Sequence, residues 1–256
     1  MSGHSKWSTI KRQKGTADIK RGQAFTKLAN VITIAVKAGG SGDPGANPRL
    51  RTVLEEAKSL NMPKDNIQRA IDRGLGVGKE ALEEVTYEGF GPGKVAFYLE
   101  GITDNKLRTL QEVKNLFERS GGSLGGSGST AYMFDKKGAI KVKSKKEKEE
   151  DILTLIDLGA EDVESFDFAQ DFADAQEKQG YLVYVQSPEL NTMSTKITQA
   201  GFGVESAEII MKPNILQKID DPELTKKVIE FAGKLEEMDD IQKVYANFDI
   251  DEKLIG

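Results

Sequence analysis

The residues best equipped for chemistry stand near the start of the chain, where cations, small hydroxyls and an aromatic ring occur together. Residues 5–15 contain four Lys/Arg side chains and Trp7, the only tryptophan of the protein. Lys and Arg neutralise phosphates, and Ser or Thr hydroxyls hydrogen-bond phosphate oxygens. An indole can stack on an unpaired base, which is worth about 1–3 kcal/mol. The pattern predicts contact with nucleic acid; the alternative is a flexible tail with Trp7 packed against the neighbouring helices.

The positive charge continues beyond this segment. The first 40 positions hold eight basic side chains and a single acid, Asp18. The side chains that we predict to contact nucleic acid are Ser5, Lys6, Trp7, Lys11, Arg12, Lys14, Lys20, Arg21 and Lys27. Further cations either extend the patch or form the solvated faces of amphipathic helices; they are Arg49, Arg51, Lys64, Arg69 and Arg73.

Charge is divided unevenly along the chain. Residues 1–80 hold 15 Lys/Arg against 7 Asp/Glu, a balance of +8, whereas residues 81–256 hold 21 against 34, a balance of −13. A basic end on an acidic body indicates a polyanionic partner that is met from one side. A solubilising tail is the alternative interpretation.

The composition argues against an enzyme. The chain has no cysteine, which excludes disulfides and thiolate metal sites and fits a reducing compartment. Its one histidine, His4, cannot form a metal centre that needs several histidines. The carboxylates form no evident acid–base pair. Four of them, Glu236, Glu237, Asp239 and Asp240, crowd the end of the last predicted helix, where they form a solvated surface or, alternatively, a weak cation site. We therefore predict no catalytic activity, no metal, no cofactor and no small-molecule substrate.

A glycine-rich stretch at residues 121–128 invites comparison with phosphate-binding loops. It lacks the Gly-Lys-Ser/Thr ending of a P-loop, and a strand rather than a helix is predicted after it, at residues 131–134. Without a helix N-terminus the anion site has no dipole, so we do not expect nucleotide hydrolysis. The loop is either backbone that a large partner can approach or a flexible connection.

The first secondary-structure elements predicted to position these residues are three helices. Apolar spacing predicts a helix from Ala17 to Lys37, a second from Pro48 to about Asn61, and a third from Pro63 to just before residue 74. Three glycines at residues 74–78 then indicate a hinge.

Beyond the hinge the pattern predicts an α+β fold. Two strands flank a turn at residues 89–93, and a helix capped by Thr103 or Asp104 follows. Strands at residues 139–142, 162–166, 181–185 and 204–211, with helices at 149–158 and after Ser187, give the β-α-β-β-α-β order of a ferredoxin-like domain. A last helix, opened by Asp221, and a strand at 244–250 then pair with the earlier sheet.

We therefore predict a multi-domain α+β protein. Its parts are a basic arm with a three-helix bundle (residues 1–78), a discontinuous α+β domain (79–135 with 212–256), and a ferredoxin-like domain inserted in it (136–211). No signal peptide and no apolar run of about 18–20 residues is evident, which predicts a soluble cytoplasmic protein without a membrane partner. We expect it to act as a monomer.

The sequence resembles the YebC family along essentially its whole length. The matching strings are Met-Ser-Gly-His-Ser-Lys-Trp at 1–7, Asn-Met-Pro-Lys-Asp-Asn-Ile at 61–67, Tyr-Glu-Gly-Phe-Gly-Pro-Gly at 87–93, Thr-Asp-Asn at 103–105 with Arg-Thr at 108–109, and Val-Tyr at 244–245. This chain has lysine at positions 94 and 106, where many relatives of the family carry a smaller residue and an arginine, respectively. The resemblance implies three domains, with the ferredoxin-like one inserted, and no settled catalytic activity.

The resemblance also implies two functions. Family members are described as transcriptional regulators that bind promoter DNA, among them PmpR-type proteins. Others act in translation at the ribosome, including at proline-rich stalls, and one is the mitochondrial translational activator of cytochrome oxidase subunit one. No convincing helix-turn-helix is found in the sequence, and the acidic body opposes flanking duplex, which favours structured RNA. Promoter DNA and ribosomal RNA or the ribosome therefore both stay open as partners.

Overall fold

The computed structural model describes residues 17–77, 82–144, 148–167 and 179–250. These residues form two compact units. The bundle unit is the described part of Gly15–Thr130 and Asp221–Val244, and the ferredoxin-like unit is the described part of Ala131–Asp220 and Tyr245–Gly256. Helices and antiparallel sheets together confirm the predicted α+β class. Among the described residues, no helix has the length and apolar character to cross a membrane.

The elements are numbered in chain order. The helices are α1 Ala17–Gly39, α2 Pro48–Ser59, α3 Lys64–Gly74, α4 Lys106–Arg119, α5 Lys148–Asp157, α6 Leu190–Gln199 and α7 Pro222–Glu236. The strands are β1 Glu83–Phe90, β2 Ala96–Thr103, β3 Ser123–Leu124, β4 Phe134–Lys143, β5 Asp162–Asp167, β6 Gln179–Gln186, β7 Val204–Pro213, β8 Gln217–Ile219, β9 Ile241–Ala246 and β10 Phe248–Ile250.

In the bundle unit, helices α1, α2 and α3 pack around a common apolar core. Ile32 and Val36 of α1 are fully buried against Leu50 and Ala57 of α2, together with Ala70 of α3. The predicted starts of these helices are confirmed to within a residue. Because each helix buries one apolar stripe, its charged residues are left on the outer faces.

The same unit contains a four-stranded sheet in the order β3-β1-β2-β9. Helices α4 and α7 cover it through three aromatic rings. Phe97 of β2 lies 6.3 Å from Phe117 and 4.9 Å from Phe231, measured between ring centroids, and all three contacts among these rings are edge-to-face. Helix α7 and strand β9 thus join the earlier sheet, as the sequence predicts for that part of the chain.

The four-stranded sheet of the ferredoxin-like unit has the strand order β5-β6-β4-β7, and all its neighbouring strands are antiparallel. With α5 between β4 and β5 and α6 between β6 and β7, this is the ferredoxin-like β-α-β-β-α-β arrangement. Its core contains Ile140, Leu155, Val183 and Ile197. Strands β4 and β7 pair from Phe134 with Pro213, two residues outside the predicted 136–211 boundaries. The division into three domains stays a prediction.

Two strand predictions are wrong. Residues Ala131–Met133 form a 3-10 turn, and one continuous strand follows to Lys143. Gly138 does not break this strand: a Cβ there would lie 2.9 Å from Cγ2 of Val185, so the glycine serves close packing. The single strand predicted at 244–250 is two strands, and β10 pairs in parallel with β8 rather than with the four-stranded sheet.

The predicted cap of α4 is also wrong, because the cap is Asn105. Its Oδ1 accepts the backbone N–H of Arg108 at 3.1 Å. The hydroxyl of Thr103 is committed elsewhere, since it accepts the N–H of Asn105 at 2.9 Å and donates to Asp240. Asp104 instead holds the guanidinium of Arg108 at 2.8 Å.

Candidate nucleic-acid interface

Most of the side chains predicted to contact nucleic acid lie outside the described residues. This holds for Ser5, Lys6, Trp7, Lys11, Arg12 and Lys14. Lys20 and Arg21 fall within α1, but their side chains are not among those described. Lys27 alone of the nine has a described side chain. Its ammonium donates to the backbone carbonyl of Glu236 at 2.5 Å, at the end of α7.

The cations of α2 and α3 are presented outward. The exposed ones are Arg49, Arg51, Lys58, Lys64, Arg69 and Arg73. Arg49 pairs with Glu84 at 2.6 Å, whereas none of the other five forms an ion pair with a carboxylate of the described residues. We call these five side chains the bundle cations. Lys58 was missed from the sequence, although it shares the helical pattern of the others.

Lys58 and Lys64 stand on either side of a tight turn between α2 and α3. The helices are joined by four residues, 60–63, in which Asn61 has a left-handed φ of 55° and the N–H of Met62 donates to the carbonyl of Ala57 at 2.9 Å. Met62 is buried in the bundle core and so anchors the turn. A short turn of this length occurs both in helical hairpins and in helix-turn-helix motifs, so the turn length alone does not distinguish them.

The loop between α1 and α2 is fixed by Asn47, which is 2% exposed. Its Nδ2 donates to the carbonyls of Ala35 and Ser41 at 2.9 and 3.1 Å, and its Oδ1 accepts the N–H of Leu50 at 3.1 Å as the cap of α2. Arg51 then holds the outer side of the loop by donating to the carbonyl of Pro44 at 3.0 Å. These hydrogen bonds tie the loop to both α1 and α2.

Elsewhere in the bundle unit, some cations are paired with carboxylates, whereas others, such as Lys226 and Lys227 of α7, are exposed and form no ion pair with a described carboxylate. Lys106 pairs with Glu83 at 2.5 Å, and its ammonium lowers the pKa of that carboxyl. Arg108 pairs with Asp240 at 2.8 Å. Burial raises the pKa of Asp240, but hydrogen bonds from Thr109 and Arg108 outweigh burial and hold that pKa below its ordinary value. These two pairs therefore serve the structure rather than contact with a partner.

The glycine-rich stretch at 121–128 is held by a buried carboxylate. Glu88 of β1 is 5% exposed and accepts the N–H of Gly128 and of Thr130, each at 2.8 Å. Its backbone carbonyl accepts the N–H of Gly125, also at 2.8 Å. These contacts anchor the loop, while both interpretations from sequence, backbone that a large partner can approach and a flexible connection, stay predictions. Glu88 was missed because its partners lie about 40 residues away.

The glycines of this loop serve different purposes. A Cβ at Gly122 would lie 2.5 Å from the carbonyl oxygen of Phe90, so only glycine allows β3 to approach β1. Gly128 has a φ of +85°, which favours glycine. Gly126 meets neither condition, because a Cβ there would point into open space. Steric crowding in the fold therefore does not explain why the tip of the loop lacks a side chain at Gly126.

Metal chemistry finds no support among the described residues. No group of three or more His, Asp or Glu side chains there could hold a metal ion. The acidic residues near position 240 are divided: Asp240 faces inward to Thr109 at 2.6 Å, whereas Glu237 and Asp239 are exposed. A cation site built from all four carboxylates is not formed.

Comparison with known proteins finds two matching family models. Residues 5–77 match the TACO1/YebC protein N-terminal domain, and residues 82–248 match the TACO1/YebC second and third domain. A relative from Rubrobacter xylanophilus is 44% identical over all of this chain and 98% of its own length. Another, from Geobacter sulfurreducens, is 44% identical over 98% of this chain and 96% of its own. Both are named "probable transcriptional regulatory protein".

One solved structure is also similar. It is the crystal structure of a conserved hypothetical protein from Aquifex aeolicus, which is 41% identical. The match covers 93% of this chain and 94% of that one, with a TM-score of 0.78. At this identity and coverage, the likeness extends to the whole multi-domain α+β fold.

Proposed function

Because the chain belongs to the TACO1/YebC family, we propose that it is a nucleic-acid-binding regulator of gene expression. Its contact surface is the three-helix bundle together with the basic residues that precede it. The observation that carries the proposal is the set of bundle cations, which are exposed and make no ion pair with the described carboxylates. Cations left unpaired on a fixed surface are available to replace the counterions of a phosphate backbone.

The geometry favours a fixed platform rather than a loose cationic tail. Asn47 fixes the loop before α2, and Met62 anchors the turn between α2 and α3. Arg51, Lys58 and Lys64 lie on the helices close to these two connections. A fixed backbone loses little loop entropy on binding, so more of the electrostatic attraction appears as affinity. Residues 5–15 then add cations and Trp7 to the same end of the sequence.

Promoter DNA is the first candidate partner. The relatives' name points to transcription, and the four-residue turn between α2 and α3 has a length found in helix-turn-helix motifs. RNA, at the ribosome, is the second candidate. The net charge of −13 on residues 81–256 favours it, because a long duplex passing the bundle would meet repulsion from the acidic remainder. On either proposal the protein works in the cytoplasm, as a monomer and without catalysis.

The test is fluorescence anisotropy on the full chain, with a labelled 30-base-pair duplex DNA and a labelled structured RNA of equal charge, at several salt concentrations. The variant Lys64→Gln/Arg73→Gln removes two bundle cations. Its matched control, Lys226→Gln/Lys227→Gln, removes two exposed cations of α7 in the same unit. We expect the first pair to weaken binding and to lower the salt slope by about one unit for each phosphate that is no longer neutralised. The control should leave the slope unchanged.

Equal effects of the two double variants would show that the bundle is not the contact surface. Absence of binding to both probes at low salt would contradict the proposed function as a whole. The choice of partner is decided separately, by sedimenting lysate with and without nuclease. Co-migration with ribosomes that requires residues 1–15 supports translation, whereas protection of a promoter fragment by a protein that stays at the top of the gradient supports transcription.

A further inference from the structure

Helix α5 of the ferredoxin-like unit carries apolar side chains on both of its faces. Its inner face packs into the core through Leu155, which is fully buried. On its outer face Leu153 and Ile156 stand one turn apart, and they are 62% and 49% exposed. Single exposed aliphatic side chains are ordinary, but a helix with one buried face normally turns polar residues to water on the other. Packing within the unit therefore does not account for the outer face of α5.

Helix α6, which packs into the same core, provides the comparison. It buries Leu190, Met193 and Ile197. Its exposed side chains are all polar, and they are Asn191, Thr192, Thr195, Lys196, Thr198 and Gln199. Of the two helices that share this core, only α5 presents large apolar side chains on its outer face.

The apolar pair on α5 lies among carboxylates. Glu149 and Asp157, four residues before and four residues after Leu153, share its helix face. Both are exposed, and neither forms an ion pair with a cation of the described residues. Residues 149–167 contain eight acids and no Lys or Arg, and the lysines of this part of the chain stand before the helix, at 141–148. Asp157 does not serve its own helix, because the dipole repels a carboxylate in the last turn.

The sign of this charge selects the partner. A phosphate backbone or an anionic membrane surface would be repelled by the carboxylates beside Leu153 and Ile156. We propose that the outer face of α5 is a docking surface for a basic amphipathic segment of a protein partner. Its aliphatic side chains cover Leu153 and Ile156, and its Lys or Arg side chains meet Glu149 and Asp157. A helix with apolar residues at i, i+3 and i+4, bordered by cations, has this pattern.

Docking at α5 does not require nucleic-acid binding, because the bundle cations belong to the other unit. The chain's own residues 168–178 fit the surface less well than a basic partner, since they contain three acids and a single Lys. The carboxylates of α5 would repel such a segment.

The test titrates the full chain into a labelled peptide of about 14 residues, built from Leu and Lys so that Leu falls at i, i+3 and i+4 of a helix. The same peptide with Glu in place of Lys is the charge control and should not bind. Leu153→Gln/Ile156→Gln should weaken binding of the Leu/Lys peptide by at least about tenfold, because two apolar contacts are lost. The matched control is Leu107→Gln/Leu110→Gln, which removes two exposed leucines of the same spacing from α4 and should leave binding unchanged.

The acids are tested separately. Glu149→Gln/Asp157→Asn should weaken binding of the Leu/Lys peptide by about fivefold at low salt and little at high salt. Glu112→Gln/Glu118→Gln removes the same charge from exposed positions on α4 and should have no such effect. Absence of binding by the Leu/Lys peptide would overturn the inference. Equal losses for the two leucine-bearing sites, or for the two acidic sites, would overturn it as well.

Two further measurements separate the other occupants. Phe168→Ser/Phe172→Ser should leave binding of the Leu/Lys peptide unchanged, whereas a gain would overturn the inference by showing that residues 168–178 cover the face. Binding of duplex DNA and structured RNA by Leu153→Gln/Ile156→Gln should equal that of the parent protein. A loss there would assign the face to nucleic acid and overturn the assignment to a protein partner. Thermal unfolding of each variant, with the parent as reference, shows that a loss of binding is not a loss of fold.

Discussion

The buried carboxylate of Glu88 accepts the backbone N–H of Thr130 at 2.8 Å, across 42 residues of sequence. It accepts the N–H of Gly128 at the same distance, and the hydroxyl of Thr130 donates to the carbonyl of Phe97 at 3.0 Å. A single side chain of β1 thus fixes both the end of the glycine-rich loop and its return to the sheet. The loop owes its conformation to a charge-assisted contact rather than to apolar packing.

We expect Glu88→Ala to destabilise the protein by about 2–3 kcal/mol, because it leaves the buried N–H of Thr130 and the partly buried N–H of Gly128 without their acceptor. Glu88→Gln should cost less, since its amide oxygen still accepts one of these bonds. Urea denaturation of both variants measures the free energy of unfolding. Glu112→Ala, an exposed acid on α4, is the control and should change it little. Equal stability of Glu88→Ala and the control would contradict the role assigned to this carboxylate.

The helices of the bundle could be predicted from the sequence because each carries its own apolar stripe, such as Leu28, Ile32 and Val36 of α1. That information is local. The contacts of Glu88 and Lys27 could not be predicted, since their partners lie about 40 and about 210 residues away and are mostly backbone atoms. Apolar spacing shows which face of a helix is buried, but it does not show which charged face another helix will cover.

In the α+β part of the chain, some glycines do not mark the turns or breaks that the sequence predicts, again because the contacts that require them are distant in sequence. The sequence treats glycine as a turn or a break, which is correct at Gly93, where φ is +69°. At Gly138 and Gly122 the cause is instead a neighbouring side chain or strand that lies too close for a Cβ. Such close approaches depend on sheet register, which a single sequence does not specify.

The two kinds of glycine give a direct prediction. Gly122→Ala should lower the free energy of unfolding by about 2 kcal/mol or more, because its Cβ would lie 2.5 Å from the carbonyl oxygen of Phe90 and force β3 from β1. Gly126→Ala should be within about 0.5 kcal/mol of the parent protein, since the position is open. Thermal or urea unfolding measures both. A larger effect at Gly126 than at Gly122 would contradict the steric account.

The basic residues before α1 give a prediction about binding. Neutralising Lys6, Lys11, Arg12 and Lys14 should weaken binding to duplex DNA or structured RNA, and the salt slope should fall by about one unit for each phosphate that these cations had neutralised. Trp7→Ala should weaken binding to single-stranded probes more than binding to duplex DNA, because stacking needs an unpaired base. Anisotropy titrations between low and moderate salt measure both effects. An unchanged slope would show that this segment does not meet the phosphates.

Ionisation of the Asp240 carboxyl makes the stability of the bundle unit depend on pH. One carboxylate oxygen accepts from Thr109 at 2.6 Å, from Arg108 at 2.8 Å and from Thr103 at 3.2 Å. Burial raises the pKa of Asp240, and these hydrogen bonds outweigh burial, so the folded pKa lies below the ordinary value. A carboxyl with a lowered folded pKa stabilises the fold above its unfolded pKa of about 4, and this contribution is lost as the pH falls through the folded pKa.

We therefore expect Asp240→Asn to reduce the free energy of unfolding by about 2 kcal/mol at neutral pH, because three donors then face a neutral amide. The difference from the parent protein should be constant between about pH 5 and 8. It should shrink as the pH falls below about 4, where the unfolded chain begins to take up a proton, and vanish below the lower folded pKa, where the carboxyl is protonated in both states. Urea denaturation across this pH range measures the difference. Asp239→Asn, at the exposed neighbouring position, should show no such pH-dependent loss. A stability difference for Asp240→Asn that persists undiminished at pH 2 would mean that the contact does not depend on the charge of Asp240.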